Sequence, residues 1–340
     1  MNKVNHQLIK NILIAGILLG SIGCNSAQNQ SQLASISDKK EIPKITFENL
    51  APPYKNYNYF RDVNKYGFQF NATSFNLTNA WWLAEVSTLV YASIDFVRSR
   101  FQKAGLQEVK YFENHSTQCY VANNDEFAIV AFRGSEIWEQ RETFDLKEVF
   151  AEINTNVDIW LTDWQQGGKV HRGFKQALDE VWPDLLSYIR GLHNKGCKIW
   201  LTGHSLGGAL ATLFASQFNS VQGVYTFGSP RVGNEVFKEH FQVKIYRFVN
   251  NDDIVPWVPP SGKYVHVGEL KFIDSHGIIR DNIIENERPV DYPRDDPDGL
   301  EVTDQLKKNT FKGFVPAPFR DHVPLLYAIH IWNNVIENQQ

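Results

Sequence analysis

Lys198-Ile199-Trp200-Leu201-Thr202-Gly203-His204-Ser205-Leu206-Gly207-Gly208-Ala209-Leu210-Ala211 is the stretch from which the fold is read. Residues 198–202 form a predicted strand and residues 206–218 a predicted helix. Between them, Gly203-His204-Ser205-Leu206-Gly207 matches the pattern GxSxG. Such a turn must be tight enough to lift a serine hydroxyl above the edge of a sheet. The positions two before and two after it therefore cannot carry bulky side chains, because backbones crowd there. Gly208-Ala209-Leu210-Ala211 keeps the start of the helix slim where it packs on the sheet. Ser205 is the candidate nucleophile; the bland alternative is a structural Gly-Ser-Gly turn.

Outward from this turn, strands and helices alternate. On the amino-terminal side a helical pattern covers residues 77–101, with Trp81, Trp82, Val86, Leu89, Val90 and Phe96. Predicted strands follow at 108–113, 118–122 and 126–132. The last holds Phe127-Ala128-Ile129-Val130-Ala131-Phe132, continuously apolar as for a strand buried on both faces. A helix is expected over 174–193. Beyond the turn come a strand over 221–227, a short helix near 234–240, a strand over 244–249 and a final helical pattern from His322. Tyr264-Val265-His266-Val267-Gly268 also reads as a strand. This order implies an α/β class with a mostly parallel sheet covered by helices on both faces.

A serine hydroxyl needs a base in hydrogen-bond reach, itself oriented by a carboxylate. In a strand-turn-helix arrangement of this kind the partners follow in the order Ser, Asp or Glu, His, with the acid on a loop just past a strand. The strand over 244–249 leads into Asp252-Asp253. Four histidines follow: His266, His276, His322 and His330. His204 faces the wrong way for a base and is read as a packing or supporting residue. The tetrahedral oxygen of acyl transfer also needs preorganised donors. The amide of Leu206, next after the nucleophile and in the first helical turn, is one candidate.

Residues 202–210 resemble the nucleophile elbow of class 3 lipases, the fungal-type triacylglycerol lipase family. Four further segments support the resemblance in the same order: Ala131-Phe132-Arg133-Gly134-Ser135; Val170-His171-Arg172-Gly173-Phe174; Thr226-Phe227-Gly228-Ser229-Pro230-Arg231-Val232-Gly233-Asn234; and Asn250-Asn251-Asp252-Asp253-Ile254-Val255-Pro256. It spans roughly residues 77–334. The resemblance implies an α/β-hydrolase fold, hydrolysis of carboxylic esters and no cofactor. It selects Asp253, immediately before Ile-Val-Pro, as the catalytic acid. It selects His322, in a terminal Asp-His segment, as the base, with His276 as second choice. Ser135 becomes the second oxyanion donor, and residues 136–169 correspond to the family's lid. There Leu146, Val149, Phe150 and Ile153 recur at helical spacing, a stripe that either covers an apolar cleft or forms the inner face of a surface helix. The implied partners are a lipid or other ester substrate and a lipid–water interface. Two alternatives stay open: a non-catalytic acyl-binding lipoprotein of the cell envelope, and an amide or peptide hydrolase.

The 340-residue chain is 43% hydrophobic and 21% charged, within the range of globular proteins. Its net charge of −4, with 34 basic residues spread along the chain, argues against nucleic acid as a partner. Lys3 and Lys10 precede an apolar run over 12–22 too short to span a bilayer. The run ends Leu19-Gly20-Ser21-Ile22-Gly23-Cys24. Residues 1–24 therefore read as a signal peptide for export. Either Cys24 carries a lipid, as in bacterial lipoproteins, or cleavage is at an ordinary small-residue site. Ser21 departs from the Leu that the lipoprotein pattern prefers. Residues 25–44 are expected to be a flexible polar tether and residues 45–340 a single domain, with a polar insertion over 280–312. The acidic run Asp295-Asp296-Pro297-Asp298-Gly299 lacks the ligand spacing of a calcium loop. Cys119 and Cys197 are too few for a disulfide scaffold and read most simply as core thiols.

Overall fold

The computed structural model describes residues 38–46, 48–115, 117–135, 160–281, 315 and 317–338. The signal segment with Cys24, the amphipathic part of the expected lid and all but the first two residues of the insertion expected over 280–312 lie outside the described residues.

The helices are α1 (Leu77–Leu89), α2 (Ile94–Lys103), α3 (Arg172–Asn194), α4 (Leu206–Gln217), α5 (Glu235–His240), α6 (Ala317–Arg320) and α7 (Pro324–Glu337). The strands are β1 (Glu108–Asn114), β2 (Thr117–Asn123), β3 (Phe127–Phe132), β4 (Leu161–Asp163), β5 (Lys169–His171), β6 (Lys198–His204), β7 (Gly223–Phe227), β8 (Ile245–Asn250), β9 (Glu269–Ile273) and β10 (Ile279–Arg280). The main sheet runs β1-β2-β3-β6-β7-β8-β9-β10. From β3 to β9 every neighbour is parallel, and the outer pairs β1–β2, β2–β3 and β9–β10 are antiparallel. This is the mostly parallel α/β sheet expected from the alternation of elements.

Side chains along a strand point to opposite faces, so a strand buried on both sides feeds two cores. Phe127, Ile129 and Ala131 of β3 join one cluster with α1, α2 and α7. Ala128, Val130 and Phe132 join the other with α3 and α4. Trp200 against Ile199 and Leu201 on β6, and Tyr225 and Phe227 against Val224 on β7, divide in the same way. Helices therefore cover both faces. In α3 the buried Leu178, Val181, Leu185, Ile189 and Leu192 recur at three- and four-residue spacing, the stripe of a helix with one wet face.

Several expectations need correction. The helix expected over 77–101 is two, because the chain leaves the helix after Leu89 and Ser93 is extended before α2 begins. The break lets Tyr91 turn toward the elbow. Residues 264–268 make only isolated bridges, Gly233 pairing with Val170 and Val265. Gly268, at φ 90, separates them from β9, the strand that actually joins the sheet. Within the segment expected as a lid, over 136–169, the described residues from 160 onward enter the β4–β5 hairpin. Trp164 is buried beneath it with its indole N–H on Ser216 Oγ at 2.9 Å.

The tether expected to run to residue 44 is docked from Asp38 onward. Trp332 donates to the Asp38 carbonyl at 2.8 Å, and the Lys40 main chain exchanges hydrogen bonds with the Asn333 amide. The Lys40 ammonium lies 2.7 Å from Glu85, whose side chain is wholly buried in α1. It also lies against the rings of Tyr57, Trp332 and Trp81, 4.5, 5.3 and 5.8 Å from their centroids. Tyr57 and Trp81 donate to the same carboxylate at 2.7 and 3.0 Å. Removing one partner of a buried pair strands the other charge. Lys40→Met is therefore expected to lower stability by about 3 kcal/mol, read from urea unfolding; a change below about 0.5 kcal/mol would mean the pair does not hold the segment. Cys119 and Cys197 are buried free thiols.

Candidate active site

β6 ends at His204 and α4 begins at Leu206, so Ser205 alone turns the chain, at φ 56 and ψ −129. That left-handed region is unfavourable for any residue with a Cβ, so the neighbours must hold it in place. The Ser205 N–H donates to the Phe227 carbonyl on β7 at 2.9 Å, and the Gly208 N–H donates to the Ser205 carbonyl at 2.9 Å. A Cβ on Gly203 would lie 2.2 Å from the Gly207 carbonyl group, and one on Gly207 would lie 2.1 Å from the Phe132 carbonyl oxygen. Both glycines are required by contact rather than by their own dihedrals. The Leu206 N–H opens α4 and belongs to the amides that a helix leaves without an internal acceptor.

The end of β3 packs against this turn. A Cβ on Gly134 would meet the Tyr91 hydroxyl at 2.0 Å and the His204 carbonyl at 2.7 Å, so only glycine lets Ser135 sit beside the elbow. Ser135 itself is half-buried. Arg133, one residue earlier, reaches Gln118 Oε1 at 2.7 Å and lies over the Tyr91 ring.

β8 runs into a turn in which Asn251 takes φ 39, and Asp253 follows, completely buried. Both of its carboxylate oxygens lie 2.9 Å from His322 Nδ1. Oδ1 also accepts the Val255 N–H at 2.9 Å, and Oδ2 accepts the Tyr327 hydroxyl at 2.5 Å. Burial, then the adjacent Asp253 charge and the hydrogen bond to it, push the Tyr327 hydroxyl well above its ordinary pKa, so it stays a donor. A carboxylate only accepts, so Nδ1 of His322 carries the proton and a neutral ring leaves Nε2 with a lone pair.

Asp321 ties the two loops together. Its Oδ2 accepts from Asn251 Nδ2 at 2.9 Å and from the Asp252 N–H at 3.3 Å, while its carbonyl accepts from Asn250 Nδ2 at 2.9 Å. Gly228, at φ 57, lies against the pair: a Cβ there would be 2.7 Å from Asp253 Oδ2 and 3.0 Å from His322 Nδ1. Phe227, whose carbonyl holds the Ser205 amide, is the residue before it. The His204 ring is 4.5 Å from the His322 ring. Asp253 and His322 thus meet at the carboxyl ends of β6, β7 and β8, where the residue before Ser205 contacts His322 and the residue before Gly228 holds the Ser205 amide.

The other histidines are elsewhere. His276 is exposed on the β9–β10 turn, with its N–H on Asp274. His266 bonds the Pro256 carbonyl at 2.6 Å and is held below its ordinary pKa by burial, with Arg247 and Arg231 adding to it. His171 accepts the Phe174 N–H to cap α3, and burial lowers its pKa to about 4. Tyr327, Gly228 and Asp321 are functional neighbours that reading residue by residue did not assign. The signal for Gly228 was present in the Phe227-Gly228-Ser229-Pro230 segment.

The family description "Lipase (class 3)" matches residues 129–263. Over that stretch the chain is similar to class 3 lipases. The matched part takes in β3 from Ile129 onward, the elbow, Ser135 and Asp253, and His322 lies beyond it. The secreted mono- and diacylglycerol lipase 1 of Fusarium solani is 31% identical over 155 residues, 40% of this chain and 46% of its own length. The toxin TseL of Vibrio cholerae is 29% identical over 270 residues, 57% of this chain and 42% of its own. The chain thus spans less than half the length of these curated relatives. A solved triacylglycerol lipase, described as having a serine protease triad at its catalytic centre, aligns with 59% of this chain and 82% of its own at 26% identity and a TM-score of 0.49.

Proposed function

We propose that this chain is a class 3 lipase, an exported serine hydrolase that cleaves carboxylic esters of lipids through an acyl-enzyme. The observation that carries the reading is the Asp253–His322 pair, 2.9 Å apart and buried beside the strained turn that presents Ser205. Ser205 Oγ attacks the ester carbonyl while His322 Nε2 takes its proton. Asp253 holds the ring in the tautomer with Nε2 unprotonated and stabilises the imidazolium that forms. The N–H groups of Leu206 and Ser135 receive the developing oxyanion. Collapse breaks the ester C–O bond, and His322 returns the proton to the departing alcohol. Water, deprotonated by His322, then adds to the acyl-Ser205; collapse breaks the Ser205 Oγ–acyl bond, His322 returns the proton to Ser205 Oγ, and the carboxylic acid leaves.

A lipid substrate is supported by the acylglycerol and lipase relatives, and by the apolar stripe Leu146, Val149, Phe150 and Ile153 in the segment after Ser135. Trp160, the first described residue after that segment, is 62% exposed. Export is supported by the basic, apolar, small-residue order of residues 1–24 and by the secreted Fusarium relative. Either lipidation of Cys24 or ordinary cleavage follows from the same order.

A fluorophosphonate probe is expected to label one serine, mapping by mass spectrometry to the peptide with Ser205, and to abolish p-nitrophenyl ester turnover in step with labelling. Absence of labelling in folded protein would leave an acyl-binding protein instead. Turnover of matched amides as fast as esters would replace the ester assignment.

A further inference from the structure

We infer that His204, the residue immediately before Ser205, is a positioning residue that fixes the main chain of His322 and so sets the approach of the base to the nucleophile. The inference rests on the reading of Ser205 and His322 given above and adds a third histidine-borne contact to it.

The His204 side chain is almost wholly buried. Its Nε2 lies 2.7 Å from the His322 carbonyl oxygen, and its Nδ1 lies 3.0 Å from the Tyr91 hydroxyl. A carbonyl can only accept, so Nε2 must carry a proton and donate. Burial, followed by the neighbouring His322, holds the imidazole well below its ordinary pKa, so the ring is neutral and Nδ1 has a lone pair. Tyr91 must then be the donor at the other end. The two contacts select a single tautomer: Tyr91 O–H to Nδ1, and Nε2–H to the His322 carbonyl.

His322 is consequently held at two places. Asp253 grips its ring at Nδ1, and His204 grips its backbone. Asp321 ties the loop between α6 and α7 to the β8 turn on the amino-terminal side of His322, and the His204 bond fixes the His322 carbonyl itself. Because His204 also precedes Ser205, the residue that locates the nucleophile locates the base as well. The elements around the ring serve this contact: the chain break after α1 aims Tyr91 inward, and Gly134 leaves room for the Tyr91 hydroxyl and the His204 carbonyl.

Two amide replacements separate the ends of the ring. Gln places its N–H₂ near the Nε2 position, where it can still donate to the His322 carbonyl. Asn places its amide near Nδ1, keeps Tyr91 company and leaves that carbonyl without a donor. Steady-state kinetics on a soluble p-nitrophenyl ester are expected to give His204→Asn a kcat lower by about 10–100-fold, the scale for a catalytic group misplaced by about 1 Å, with KM within about twofold. His204→Gln is expected within about threefold of wild-type kcat, and Tyr91→Phe likewise, because the His322 carbonyl alone still selects the Nε2–H tautomer. Space filling alone would make Asn and Gln alike. Equal kcat values for the two, each at near-native Tm, would overturn the positioning role while the triad reading stands. If Asn does not fold, a folded Gln variant with the large loss assigned to Asn would overturn it equally. Wild-type protein without Ser205-dependent turnover would overturn the site reading and this role together.

Discussion

Ser205→Ala is expected to lower ester turnover by about four to six orders of magnitude while leaving the fold intact. The substitution removes the one oxygen the acyl group would join and changes little else. Ala has the same Cβ, so it keeps the strain of φ 56, and the bonds that hold the turn, Ser205 N–H to Phe227 and Gly208 N–H to the residue 205 carbonyl, are main-chain bonds. The Leu206 and Ser135 amides and the Asp253–His322 pair would remain, so a small residual rate over water is expected from a polarised carbonyl alone. Measured on a p-nitrophenyl ester, a kcat above about 1% of wild type would remove Ser205 from the nucleophile's place. Thermal unfolding should separate chemistry from fold. Ser205→Gly, which relieves the positive φ, is expected to unfold at higher temperature than wild type, and Ser205→Ala at nearly the same one.

What could be read from the sequence follows the distance over which each feature is determined. The elbow is one contiguous segment: Gly203 and Gly207 touch each other across it, so the spacing in the chain already encodes the contact. The parallel sheet was legible for the same reason, since alternation of strand and helix is a local pattern. Asp253 and His322 are 69 positions apart, and nothing near either one says that Tyr327 and Gly228 will close around them. There the order of segments shared with class 3 lipases selected the residues, and the residues' own surroundings did not. Tyr91 was hidden within an apolar run because its partner, His204, is 113 positions away. α1 is buried on every side, so it shows no period that could mark its end. Lys40 looked like one more solvated charge in a polar stretch. Only the fold reveals that a wholly buried Glu85 and three aromatic rings wait for it. The strand read over 264–268 has the right alternation, but Gly268 at φ 90 moves the sheet register to β9.

Asp253→Asn is expected to cost about 10⁴-fold in kcat, roughly 5.5 kcal/mol of transition-state stabilisation, with KM little changed. The site dictates how the new amide sits. Oδ1 must still accept the Val255 N–H, so the NH₂ replaces Oδ2 and meets the Tyr327 hydroxyl and His322 Nδ1. An N–H donor facing Nδ1 favours the opposite tautomer, with the proton on Nε2 and no lone pair for the Ser205 hydroxyl. The imidazolium that forms during attack would also lack its buried counter-charge. Tyr327→Phe keeps the carboxylate and removes one donor to it, so a much smaller loss is expected, about 10- to 100-fold, on the scale of one hydrogen bond to a charged group. Asp252→Asn is expected to cost far less than Asp253→Asn, because the Asp252 carboxylate acts on Arg320 and its main-chain N–H meets Asp321, whereas His322 Nδ1 is held by Asp253. Stopped-flow acylation with the same ester reads all three variants in the step where the proton moves. A loss at Asp252 larger than at Asp253 would transfer the orienting role to the neighbouring carboxylate, although His322 Nδ1 is 2.9 Å from both oxygens of Asp253.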